Sequence, residues 1–162
     1  MEPALKESVS LSSFKSNYLK NIRPAKSNLF GIKDRFGIRL LTRLRVNFSD
    51  LRDHRFNHKF NCTSPICECS NEIESTEHFF LRCPQFTHQR QTLLSNIAAA
   101  LSSDISILPH SHLTNILLHG SPSFNDITNK TILIASLHYI KSTGRFNTCL
   151  LYTSPSPRDV SL

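Results

Sequence analysis

Residues 67–83 read Cys67-Glu68-Cys69-Ser70-Asn71-Glu72-Ile73-Glu74-Ser75-Thr76-Glu77-His78-Phe79-Phe80-Leu81-Arg82-Cys83, and Pro84 follows. Three thiols and one imidazole fall in a short span of an otherwise ordinary chain. The pattern is C-x-C-x8-H-x4-C. A structural zinc ion takes four tetrahedral ligands, mostly thiolate sulfur and imidazole nitrogen. Cys67 and Cys69 can reach one ion from a tight knuckle. A helix beginning near Ser75 or Thr76 carries His78 and presents Cys83 at its end, where Pro84 stops it. The shell closes as Cys3His with no open position, which suits a structural rather than a catalytic ion. Two other readings stay open on spacing alone. A Cys-x-Cys pair has redox chemistry, although the usual redox dithiol is Cys-x-x-Cys. The thiols also suit a buried apolar role. Cys62 is a nearby thiol able to replace Cys67 in the shell.

The surrounding chain is small and basic. It has 162 residues, a net charge of +7 and only four glycines. That length supports one domain with a core. Few glycines disfavour a hairpin-rich sheet and favour helices. Ten Lys or Arg against three acids lie before residue 48, so the basic excess sits in the first third. Such a balance suits nucleic acid, though other basic proteins share it. The N-terminus lacks the basic start and apolar core of a signal peptide. No run approaches the roughly 18 apolar residues of a membrane span. The expected location is therefore intracellular, in nucleus or cytoplasm, where cysteines serve as ligands or free thiols. Asn47-Phe-Ser49, Asn61-Cys-Thr63 and Asn129-Lys-Thr131 are then chance glycosylation patterns.

Helical periodicity places the rest. Ser10 to Ile22 is a weak amphipathic helix on Leu11, Phe14, Tyr18 and Leu19, ended by Pro24. Gly37 to Leu51 carries Ile38, Leu41, Leu44, Phe48 and Leu51 at helical spacing, with a break near Asn47 and Ser49 as a possible cap for a second helix. Arg39 and Arg43 share another face. With Arg45, Arg52, Arg55 and Lys59 they form the candidate phosphate contacts; the plain alternative is a solvated face. His54 and His58 lie four apart and are read as solvent-facing, since no third ligand accompanies them. They and Phe56 and Phe60 could also stack on RNA. Thr87 to Leu101 is a helix on Leu93, Leu94, Ile97, Ala98 and Leu101. His112 to His119 is a shorter one stopped by Gly120. Ser123 is the expected cap of the last helix, whose buried face is Ile127, Ile134, Leu137 and Tyr139 or Ile140. No glycine-rich phosphate loop, nucleophile elbow or paired-aspartate setting occurs.

Pro65-Ile-Cys67-Glu-Cys69, with Glu72-Ile-Glu74-Ser-Thr-Glu-His78-Phe-Phe-Leu-Arg-Cys83-Pro84, resembles the C-terminal zinc-knuckle region of non-LTR (LINE-type) retrotransposon reverse transcriptases. Tyr18 to Pro24, Gly37 to Arg45, Leu51 to Phe60, Ser123 to Asp126 and Tyr139 to Phe146 also look like parts of that region. The likeness spans roughly residues 10 to 148. It implies Cys67, Cys69, His78 and Cys83 as zinc ligands and leaves Cys62 outside. It further implies RNA or DNA as partner and a polymerase domain upstream, while the polymerase's own catalytic aspartates are lacking. The chain is thus expected to be no enzyme by itself. Cys149 to Asp159, Cys-Leu-Leu-Tyr-Thr-Ser-Pro-Ser-Pro-Arg-Asp, resembles the translation of a sequencing-library adapter. The expected organisation is a basic helical region (1–60), a zinc knuckle with C-terminal helices (61–148) and an adapter-derived tail (149–162). The expected fold is a small, mostly α domain stapled by zinc. The alternative function is a zinc-stapled structural or protein-interaction module without nucleic acid.

Overall fold

The computed structural model describes Leu29, residues 31–69 and residues 72–147. The expected helix over Ser10–Ile22 and the adapter-like tail lie outside these residues. Among the described residues the fold is helical, and the one β-pairing is an isolated antiparallel bridge between Ile66 and Ile73. Five α-helices follow in order among these residues: α1 Arg35–Arg45, α2 Arg52–Asn57, α3 Thr87–Leu101, α4 His110–His119 and α5 Asp126–Ser142. A π-helical turn, His78–Arg82, and a 3-10 turn, Pro84–Phe86, join the knuckle to α3.

α5 is the central element and packs against α1, α3 and α4. Leu40, Leu41 and Leu44 of α1 meet the same buried cluster as Leu93 and Ile97 of α3, Leu113 and Leu117 of α4, and Ile132, Leu133 and Ile140 of α5. The core therefore runs without a break across residue 60. The π turn contributes Phe79 and Phe80. Phe79 makes edge contacts with Phe86, Tyr139 and Phe146, with ring centroids 5.3–5.5 Å apart, and the Tyr139 hydroxyl donates to Phe79 O at 2.6 Å. Two of the four residues between His78 and Cys83 are thus core residues.

Several expectations on this frame need correction. The break expected near Asn47 is present, however: α1 stops at Arg45, a left-handed Asn47 follows, and Ser49 Oγ accepts the Leu51 N–H ahead of α2. Phe48, placed by periodicity on the buried face, lies beyond that stop and is 45% exposed. In α5 the buried stripe is Asn129, Ile132, Leu133, Ser136, Leu137 and Ile140, with Tyr139 beside it. Ile127 falls off that stripe at 80% exposed, and Ile134 is also exposed. Apolar character alone misassigned both. Asn125 caps α5 by accepting from Thr128 N–H at 2.8 Å, displacing Ser123 from that role. α3 has the expected bounds. α4 ends at Gly120, where φ is 75° and a Cβ would fall 2.4 Å from Asn129 Oδ1. That oxygen is already taken by the Ser121 N–H.

Candidate metal centre

Two short pieces of backbone make the site. The first is the loop from Pro65 to Glu74, closed by Cys67 N–H to Glu72 O at 2.8 Å and Glu74 N–H to Pro65 O at 2.9 Å. These bonds fold Cys67 and Cys69 into a knuckle. The second is the turn that carries His78 and Cys83. Ser75 Oγ accepts the His78 N–H at 3.2 Å, a side-chain cap on a helix that begins at Thr76 as expected. From His78 the turn widens, and Cys83 N–H donates to His78 O at 2.7 Å, an i→i+5 bond. Five residues on an α-helix would rotate Cys83 about 140° away from His78. The π turn brings the two side chains back to one face. The four-residue gap therefore has a backbone explanation.

The ligand atoms of Cys67, Cys69, His78 and Cys83 all lie within 4.8 Å of one another. Cys69 Sγ is 3.1 Å from Cys67 Sγ and 3.2 Å from His78 Nε2, and Cys67 Sγ is 4.0 Å from Cys83 Sγ. Tetrahedral sulfurs about 2.3 Å from an ion sit roughly 3.8 Å apart, so small side-chain rotations seat all four on one centre. Comparisons of the chain with family models, with curated proteins and with solved structures give no match. The assignment thus rests on the geometry itself.

The chemistry of the donor set fits a cation. Burial pushes the Cys67 thiol up to about 12 and raises that of Cys83 too. Each also receives a backbone hydrogen bond, from Cys69 and from Gln85, which works in the opposite direction. Thiolates here need a positive charge beside them, and a metal supplies it while displacing the protons. His78 Nδ1 lies 3.0 Å from Glu72 Oε2. That contact places the proton on Nδ1 and turns the Nε2 lone pair toward the sulfurs, the carboxylate–histidine–metal arrangement. Arg82 holds the same carboxylate at 3.6 Å. Cys62 stands apart, with Sγ 3.2 Å from Ser64 O.

Glu74 anchors the knuckle to the rest of the fold. It is buried, pairs with Arg145 Nε at 2.7 Å and Nη2 at 2.8 Å, and accepts the Arg52 N–H at 2.7 Å. Arg145 also donates to Asp50 O at 3.0 Å. Sequence reasoning did not single out this pair. The only signal was that both residues belong to stretches with the family resemblance.

The candidate phosphate contacts divide. Arg39 is exposed above the Phe36 ring, and Lys59 is exposed. Arg43 lies 3.8 Å from Asp50, and Arg55 Nη2 donates to Asn61 O at 3.3 Å. Arg45 and Arg52 have structural work: Arg45 Nε donates to Leu118 O near the end of α4, and Arg52 Nη1 binds Glu68 at 2.6 Å. Among the described residues no helix is long and apolar enough to cross a membrane.

His54 corrects another expectation. It is 3% exposed rather than solvent-facing. Its Nδ1 is 2.8 Å from Ser49 Oγ and its Nε2 3.3 Å from Thr76 Oγ1, so it ties the start of α2 to the start of the ligand-bearing helix. Burial lowers its pKa from 6.5 to about 4; Asp53 and Glu74 oppose that shift and His58 adds to it. Burial and then Arg45 lower His119 to about 4 as well. The unfolded chain binds these protons near pH 6.5 and the folded chain only near pH 4. Their stabilising effect is therefore complete above about pH 6.5 and declines as pH falls toward 4. At about 1.4 kcal/mol per pH unit, each histidine accounts for a few kcal/mol. Urea unfolding at a series of pH values should show this decline, and His54→Gln should make it shallower. Acid also protonates the candidate metal ligands, so the informative quantity is the difference between parent and variant. Parallel curves would exclude a buried neutral His54.

Proposed function

We propose that this chain is the zinc-binding, nucleic-acid-binding C-terminal region of a LINE-type retrotransposon reverse transcriptase. The observation that carries the reading is the four-ligand cluster, with its π turn between His78 and Cys83 and its carboxylate-oriented imidazole. Three thiols and an imidazole that small rotations bring to tetrahedral spacing favour zinc among the common divalent ions. The ion holds the Pro65–Glu74 loop against the helix of His78 and supplies folding energy. The region binds and positions nucleic acid and leaves polymerisation to a domain upstream. It acts inside the cell, in nucleus or cytoplasm.

Arg39, Arg43, Arg55 and Lys59 are the side chains best placed for phosphate, since Arg45 and Arg52 have contacts that support the fold. Those two internal contacts also favour the second reading, a zinc-stapled structural or protein-interaction module. Filter binding of single-stranded RNA across a salt series separates the readings. The expected result is binding that weakens steeply with salt, with log K falling by about 0.7 per phosphate contact per decade of salt. Replacing Arg39, Arg43 and Lys59 together by Ala should flatten that slope by about 2, three contacts at about 0.7 each. Unchanged affinity and slope in the triple variant would support the second reading instead.

A further inference from the structure

Two helix ends in the basic half share one design. α1 passes into Asn47, with φ 53°, and α2 into Lys59, with φ 57°. Asn47 N–H donates to Leu44 O at 3.2 Å and Phe48 N–H to Arg43 O at 2.9 Å. Lys59 N–H donates to Phe56 O at 3.1 Å and Phe60 N–H to Arg55 O at 2.9 Å. This pairing of bonds is the Schellman motif, used twice. Its left-handed position usually holds glycine, and a lysine there carries a backbone cost. In both copies the sequence is Arg-x4-Phe: Arg43 to Phe48 and Arg55 to Phe60.

The residue after the left-handed position normally folds back on its own helix. Here the two phenylalanines meet each other, edge to face, with centroids 5.4 Å apart. His58 completes the group at 4.9 Å from Phe48 and 6.0 Å from Phe60. Its Nε2–H donates to Asn47 O at 3.0 Å, which locks one helix end to the other. Phe60 is 48% exposed and Phe48 nearly as much. Exposed apolar surface of this kind marks a contact site. Arg43, Arg55 and Lys59 belong to the same two turns. The nearby acids are engaged, Asp50 with Arg43 and Asp53 with Asn57.

We propose that Phe48, His58 and Phe60 form a stacking platform for unpaired bases of a single-stranded nucleic acid, whose phosphates meet Arg43, Arg55 and Lys59. Every base has a face that stacks on an aromatic ring, and neighbouring cations track the backbone. Rings set by backbone hydrogen bonds need little ordering on binding. The positive surround selects a polyanion over an apolar peptide. The inference rests on the nucleic-acid reading above and adds where the bases sit.

The chain contains no tryptophan. Phe60→Trp in the full zinc-loaded chain therefore places a single indole in the platform. Titration with oligothymidylate should quench its emission, and an abasic strand of equal length should not. Phe48→Ala with Phe60→Ala should weaken oligothymidylate binding about tenfold or more, while leaving abasic-strand binding and the salt slope as in the parent. Circular dichroism checks the fold, and if that variant is unfolded the indole titration decides. Two results overturn the platform but keep nucleic-acid binding: equal affinity for both strands, or an unquenched indole while the strand binds. Emission that is already blue-shifted and unresponsive shows the rings covered by the chain itself, and also overturns it. Failure of the parent to bind either strand removes both readings.

Discussion

Cys83→Ser should abolish metal retention and melt a large part of the helical array. The parent is expected to hold a single zinc ion, measurable by elemental analysis after gel filtration, and the variant none. Cys83 is buried, and its carbonyl, which the serine variant keeps, accepts from Arg90 Nη2 at 2.7 Å, so the expected loss is that of the proposed thiolate ligand. Phe79 and Phe80, fully buried, lie between it and His78. Loss of the ion therefore loosens the rings that pack on Tyr139 of α5. Structural zinc supplies about 10–16 kcal/mol in isolated finger peptides, whereas a domain's net stability is about 5–15 kcal/mol. The ion is thus comparable to the whole margin. His78→Ala and removal of metal by a chelator should reproduce the loss of helical signal. Cys62→Ser should not, since its sulfur stands outside the cluster. A Cys83→Ser protein that keeps both metal and helix would refute the ligand assignment.

Arg145→Ala should cost about 3–5 kcal/mol, the usual penalty for stranding a buried charge. Glu74 would lose both of its bonds to the guanidinium, at 2.7 and 2.8 Å, and keep only the Arg52 N–H. The Asp50 carbonyl would lose its donor too. Arg145→Lys should recover only part of the loss, because an ammonium cannot reproduce the two-pronged contact. Glu74→Gln should cost less than Arg145→Ala, since Arg145 is partly exposed and water can solvate it. Urea unfolding of the three variants at neutral pH gives the order. A loss below about 1 kcal/mol for Arg145→Ala would place this pair among ordinary surface bridges.

How much of this was legible in the sequence depends on the range of the interaction concerned. The α3 helix and the stop at Gly120 follow from local chemistry and emerged with the expected bounds. The candidate ligands fall within seventeen residues and lie together in the fold, although spacing alone left Cys62 as a substitute for Cys67 and only the family resemblance set it aside. Why the gap before Cys83 is four residues was not legible, because a π turn has no marker in residue type. Phe48 and Ile127 show a different limit. Both are large and apolar, yet a helix stop places one in water, and the position of the buried stripe does the same for the other. His54 was misplaced for the converse reason. Its polar partners, Ser49 and Thr76, come from separate elements, so only the folded chain shows that burial is satisfied. The Glu74–Arg145 pair spans 71 positions and lay beyond any local pattern.

The widened turn at His78–Arg82 also bears on how the chain can change in length. A four-residue step round an α-helix aligns two side chains much as this five-residue step does in a π turn. The knuckle thus behaves like an α-helical His-x3-Cys site with one residue spliced in. Excising the exposed Arg82 lets the turn tighten while both candidate ligands stay in place. Excising Phe79 or Phe80 removes a ring from the core. The same one-residue deletion is thus tolerable at one end of the turn and ruinous at the other.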